Sequence, residues 1–222
     1  MEKQRETKWG HLAIPHGMRK DFDKLATKLT YEAVDRELSE VEDRIGAFLD
    51  GTFSNARFNR KAIQGLYEYG FNGSLTMIEQ FHPSIRVERF LESFIGVSDI
   101  NKHIEIYQDF DVGPSLGVIA IINAVAARVR LDRFRLNGDS EVLTIQEIAL
   151  LARMKELSIR NAAAPSSTTP LESSKIDGLS IIKAEEADRW LAGRRGYKAT
   201  KLPEEQAARQ ELFSVLDSWV FL

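Results

Sequence analysis

The sequence predicts a mainly α-helical protein, in which a helical N-terminal domain is followed by a compact unit of two short helices and a small β-hairpin. Three observations carry that prediction. Apolar residues recur at helical spacing through most of the chain from Met18 onward. Thr144 and Glu147 stand at the offset of a reciprocal capping box, in which a hydroxyl accepts a first-turn N–H and a carboxylate reaches back to the cap. Asp177-Gly178 separates two short apolar-polar runs, and this dipeptide suits the positive φ angles of a two-residue hairpin turn.

Taken in order, residues 1–16 hold few periodic apolar positions and run into Ile14-Pro15-His16-Gly17, which predicts an irregular lead-in. Thr30 caps a long amphipathic helix with Val34, Leu38, Val41, Ile45, Phe48 and Leu49 on one face and Glu32, Asp35, Arg36, Glu40, Glu42 and Asp43 on the other. Residues 54–69 form the next helix, with Phe58, Ala62, Leu66 and Tyr69 on one stripe. Tyr67, Tyr69 and Phe71 lie near Arg57, Arg60 and Lys61. That grouping suits stacked single-stranded nucleic acid or core aromatics with a basic flank, and the second is favoured because no platform of strands accompanies it. After the Asn72-Gly73 turn, shorter helices are expected from Ser74 to Phe81, from Pro83, and from Ser98 to Tyr107. Ser115 to Arg135 is the most apolar helix, hydrophobic all round at first and carrying Arg128, Arg130, Arg133 and Arg135 later. It belongs at the centre of a helical domain or in a dimer interface.

Asn137-Gly138-Asp139-Ser140 clusters turn formers and marks a domain boundary. Beyond it Ile145, Ile148, Ala149, Leu151 and Ala152 continue the capped helix, and the pattern breaks at Arg153-Met154-Lys155. Leu157, Ile159, Ala162 and Ala163 then resume it. This reads as two helices joined by a tight turn, with Ala149 at their close approach and Met154 and Ile159 as the apolar wedge. Pro165 to Pro170 is a loop, Leu171–Ile176 and Leu179–Ile182 are hairpin arms, and Lys183–Leu191 is a further helix. Pro203 starts a terminal helix, Glu204–Phe221, expected to dock on the N-terminal domain or on a second subunit. The divisions are 1–137, 138–202 and 203–222.

At 222 residues and 43% hydrophobic, the chain can bury one large core or two modest ones. It has no cysteine, which removes disulfides and thiolate chemistry. Met1 to Lys8 is charged and unlike a signal peptide, and the longest apolar stretch, Val112–Ala127, is too short and too interrupted to span a bilayer. A cytoplasmic protein with no membrane partner is expected. Enzyme motifs are missing: there is no Gly-rich phosphate loop, no Gly-x-Ser-x-Gly elbow and no His-Glu-x-x-His. His11, His16, His82 and His103 are scattered singly, so no catalytic residue, metal or cofactor is assigned. Asp35, Glu40 and Asp43 read as a solvated face. Asp109, Asp111 and Asn123 suit a small-ligand pocket or, more simply, a turn and a satisfied buried amide.

Net charge is −3, but it is unevenly divided. Residues 1–143 carry 19 Lys+Arg against 22 Asp+Glu, residues 144–202 carry 10 against 7, and residues 203–222 carry 1 against 4. The middle segment is thus the net-positive one, which suits a nucleic-acid module joined to something else.

From Thr144 to Leu202 the chain resembles the winged helix-turn-helix domains of the MerR and phage-excisionase type. The matching residues are Thr144, Glu147, Ala149, Met154, Ser158, Ile159, Arg160 and Asn161, then the Leu171–Ile182 hairpin as wing and the helix ending in Trp190-Leu191. The resemblance implies sequence-specific binding of double-stranded DNA by a transcriptional regulator. A homodimer is expected to place two readers on two half-sites, with the N-terminal domain free for dimerisation or a protein partner. Lys155, Ser158, Arg160 and Asn161 would meet base edges and phosphates in the major groove. Ser173, Ser174 and Lys175 would touch backbone or minor groove from the wing, and Arg194, Arg195 and Lys198 would hold phosphates. Two features depart from the family: the loop from Pro165 to Pro170 is long, and Arg153 stands where the turn usually has glycine. The arginine implies either a different turn geometry or another phosphate contact. An alternative from another class is a protein-interaction module that uses a winged-helix surface without binding DNA.

Overall fold

The computed structural model describes residues 18–48, 60–76, 116–167, 170–176 and 178–217. Among them the chain is mainly helical, with one small three-stranded antiparallel sheet. The lead-in, the four histidines, Phe58, Asp109, Asp111, Asp177 and the helices expected between Met77 and Tyr107 lie outside the described residues.

Among the described residues, four helices build the first part: α1 (Arg19–Lys28), α2 (Tyr31–Phe48), α3 (Arg60–Asn72) and α4 (Leu116–Asn137). Thr30 caps α2 as expected, its Oγ1 accepting from the N–H of Ala33 at 3.3 Å. Phe22, Ala26, Val34, Leu38, Ile63, Leu66, Tyr69 and Phe71 pack around the first half of α4. Helix α4 is central because its first half is apolar all round: the consecutive residues Val118, Ile119, Ala120, Ile121 and Ile122 are all buried. Gly70 lets α3 approach it closely, since a Cβ there would meet the Val125 backbone nitrogen at 3.1 Å.

The second half of α4 continues into another core cluster, where Ala127 and Leu131 join Leu143, Ile148, Leu151, Ile159, Ile182, Trp190 and Leu191. That cluster is enclosed by β1 (Val142–Thr144), α5 (Ile145–Ala152), α6 (Glu156–Ala162), β2 (Ser174–Ile176), β3 (Leu179–Lys183) and α7 (Ala184–Leu191). Helix α8 (Gln206–Asp217) follows, begins later than Pro203 would suggest, and docks Leu212 into the first cluster. The sheet order is β1-β3-β2, with Leu143 opposite Ile182 and Lys175 opposite Ser180. Ile176 pairs with Leu179, so the hairpin turn has two residues, and Gly178 takes φ +80° as the turn chemistry demands. Strand β1 has no counterpart in the sequence reading: three residues are too few for alternation to register.

The basic end of α4 is built into the protein. Arg130 pairs with Glu147 of α5, Arg133 with Asp139 and Glu141, and Arg135 with Asp188 of α7 at 2.9 Å. Arg128 is fully buried, donating to the Gly70 carbonyl at 3.2 Å and to the Lys198 carbonyl at 2.7 Å. Beside it Asp132 accepts from Tyr69 at 3.0 Å and from Thr200 at 2.7 Å. Burial holds the Asp132 carboxyl above the usual carboxylate range, against the opposing pull of Arg128. The segment after α7 thus returns across α3 and α4, and Gly73, at φ +64°, admits it: a Cβ there would lie 2.9 Å from the Lys198 carbonyl oxygen. No helix among the described residues is long and apolar enough to cross a membrane.

Candidate nucleic-acid interface

The helix pair α5–α6 starts from its cap. Thr144 Oγ1 accepts from the Glu147 N–H at 3.3 Å, and Glu147 Oε2 accepts from the Thr144 N–H at 2.7 Å, so the reciprocal box is complete. Helix α5 is nearly all buried, and Ala149 and Ile159 fill the contact between the two helices with Met154 half-buried at the turn. Leu150 points the other way, into the cluster around α3 and the first half of α4.

The turn matches neither alternative posed by Arg153. Its backbone is left-handed, φ 55° and ψ 40°, the conformation in which glycine is favoured. The side chain faces the protein: Nη1 donates to the Leu29 carbonyl at 2.8 Å, Nη2 to the Tyr67 hydroxyl at 2.9 Å, and the guanidinium lies 4.0 Å from the Phe71 ring centroid. Arg153 therefore joins the turn to α1's C-terminal end and to α3. The aromatic group around Tyr67 and Phe71 is core, as favoured above, and this arginine is its cation. Gly196 packs on the same turn, where a Cβ would stand 2.3 Å from the Ala152 carbonyl oxygen.

Helix α6 presents one outward arc. Leu157, Arg160 and Asn161 share it at helical spacing, with Lys155 exposed at the N-cap and Ser158 half-buried at the edge. Glu156 and Ile159 turn inward. Glu156 is 4% exposed, and its carboxylate lies between two arginines. Arg19 of α1 donates from Nε to Oε2 at 3.0 Å and from Nη2 to both oxygens, while Arg160 donates from Nε and Nη2 to Oε1 at 3.0 and 2.5 Å. Asp23, also on α1, accepts from the Glu156 backbone N–H; burial, then the neighbouring Glu156 charge, raises the pKa of its carboxyl. The start of α6 is therefore clasped by α1.

On the hairpin, all three β2 residues are exposed, so Ser174 and Lys175 face solvent together with Ser173 just before the strand. The basic end after α7 divides. Arg195 is exposed, whereas Arg194 stacks 3.7 Å over the Trp190 ring and Lys198 donates from Nζ to Asn72 Oδ1 at 3.0 Å. The structure thus brings Arg160 and Asn161 together on the outward arc of α6, with Ser158 at its edge and Lys155 exposed at the N-cap, brings Ser173, Ser174 and Lys175 together on the hairpin, turns Arg194 onto Trp190 and leaves Lys198 exposed with its Nζ on Asn72. Sequence reasoning missed Glu156, Arg19 and Asp23. The first had a signal in the Glu156-x-x-x-Arg160 spacing, but Arg19 lies 137 residues from its partner and had none.

Comparison with family models, with curated proteins and with solved structures finds no match to this chain.

Proposed function

We propose that residues 142–191 form a winged helix-turn-helix unit that binds double-stranded DNA, with α6 entering the major groove and the β2–β3 hairpin acting as wing. The supporting observation is the arc of Leu157, Arg160 and Asn161, with Lys155 exposed at the N-cap, on a helix whose other side is buried through Ile159, after a capped helix and a left-handed turn. Arg160 suits guanine or phosphate, Asn161 suits adenine, and Lys175 with Ser173 and Ser174 suits backbone contacts from the hairpin. A seven-residue helix offers few base contacts, so a homodimer acting as a transcriptional regulator on two half-sites is part of the proposal.

The full chain, mixed with a pool of random-sequence duplexes, should shift a fraction of the pool in a native gel at low salt. No retained duplex would overturn the proposal. A second reading, a protein-interaction module, also has an observation in its favour: Leu157, Ile176 and Leu179 are 65, 41 and 46% exposed on the same elements. Capture of a defined protein by the full chain, lost in Leu157→Ser and unaffected by duplex DNA, would favour it.

A further inference from the structure

The first described helix of the N-terminal part touches the outward helix α6 through one buried carboxylate. Glu156 is shared by two arginines: Oε2 takes Arg19 at 3.0 and 2.9 Å, and Oε1 takes Nε and Nη2 of Arg160 as well as Nη2 of Arg19 at 3.0 Å. Both donors of the Arg160 Nε edge meet the one oxygen Oε1, which fixes the edge of the guanidinium that faces the protein, because the fork of N–H donors is rigid. The Nη1 end of Arg160 is left pointing away from the carboxylate, and the Arg160 side chain is 57% exposed. This is the end that a guanine O6 and N7 pair accepts from. Glu156 itself is buried at 4%, so its carboxylate is placed to orient the arginine instead of meeting DNA directly. Arg19 neutralises it and holds its rotamer, and α1 is anchored in turn by Phe22 and Ala26 in the core and by Asp23 at the Glu156 N–H.

We propose that Arg19 of α1 and Glu156 are positioning residues for base reading: together they hold the Arg160 guanidinium end-on toward a guanine, which makes the N-terminal part of the chain a component of the DNA-reading apparatus. This rests on the DNA-binding reading above and specifies how it discriminates. Arg160 commits its Nε edge to Glu156, so its orientation depends on Arg19, 137 residues before Glu156 in sequence.

The test uses the full chain and a duplex selected from a random-sequence pool. The informative position is the guanine whose preference Arg160→Ala abolishes, and the readout is the ratio of Kd values for the selected duplex and for one with A·T at that pair. Glu156→Gln and Arg19→Ala should each reduce that ratio severalfold, toward the Arg160→Ala value, from a starting discrimination of about tenfold. Arg19→Lys, which keeps charge without the two-donor fork, should fall between. Thermal melting of each variant identifies any loss of folding, and Glu156→Gln preserves shape if Arg19→Ala does not fold. A ratio unchanged in Glu156→Gln and in whichever Arg19 variant folds, or selection of duplexes with no guanine that depends on Arg160, overturns this inference while leaving DNA binding intact. Failure of the wild-type chain to select any duplex overturns both.

Discussion

The guanidinium of Arg153 lies 4.0 Å from the centroid of the Phe71 ring, so the turn between α5 and α6 is fastened to α3 by a residue that pays for its place with a left-handed backbone. A non-glycine residue in that conformation costs on the order of 1–2 kcal/mol. The cation–π contact and the hydrogen bonds to Leu29 and Tyr67 offset it. Arg153→Ala keeps the backbone cost and loses the contacts, so it should lower unfolding free energy by about 2–3 kcal/mol in urea titration. Arg153→Gly should lose about 1 kcal/mol less, because glycine adopts the turn freely. Because the side chain points inward, neither variant that remains folded should change the salt dependence of DNA binding.

Asp132 gives a pH prediction. Its folded pKa is raised, chiefly by burial, so the folded chain takes up a proton there before the unfolded chain does. The contribution to stability is fully present below the unfolded pKa and is lost as pH rises through the folded value. An amide at this position has no such titration, so the stability of Asp132→Asn relative to wild type should improve as pH rises from acid to neutral. Chemical denaturation at several pH values measures this; a relative stability that instead worsens toward neutral pH would show that Arg128 outweighs burial.

At Gly196 the constraint is steric. A methyl group would meet the Ala152 carbonyl oxygen at 2.3 Å, and backbone yields poorly. Gly196→Ala should destabilise by about 1–3 kcal/mol, as overpacking does in a filled core. Gly178→Ala should strain the hairpin by its φ of +80° alone, since nothing lies within 4 Å of the added carbon. Comparing the two melting temperatures separates clash from backbone preference.

The cap of α5 provides a further check. Thr144→Ala removes the acceptor for the Glu147 N–H and should cost about 1 kcal/mol. Glu147→Ala should cost more, by about 3 kcal/mol or above, because it also removes the buried carboxylate that pairs with Arg130. Equal losses in calorimetry would mean that the ion pair adds nothing to the cap.

How much of this was legible in the sequence depends on the range of each interaction. The capping box, the Asp-Gly turn and the all-round apolar helix are local patterns, and the structure has them at Thr144, Gly178 and Leu116–Asn137. Cations were legible only as charge. The net-positive count for residues 144–202 includes Arg153 and Arg194, whose partners are Phe71 and Trp190, and sequence spacing does not separate such tethers from exposed residues such as Lys175, Arg195 and Lys198. The four arginines of α4 were legible only as a basic second half of the helix, because their partners, the Lys198 carbonyl, Glu147, Asp139 and Asp188, all lie beyond the helix in the chain. Glu156 was hidden because burial of a carboxylate at the start of a short helix depends on Arg19, which only the tertiary fold supplies.

The most direct test of the central claim is fluorescence anisotropy of the full chain with a duplex selected from a random pool, repeated across a salt series. The account predicts that log K falls linearly with log salt, with a slope magnitude of about 0.9 for each phosphate contact. Arg160→Ala should weaken binding, and Lys175→Ala should lower the slope by about one contact. Absence of binding at low salt, or affinity unchanged by Arg160→Ala, would contradict it.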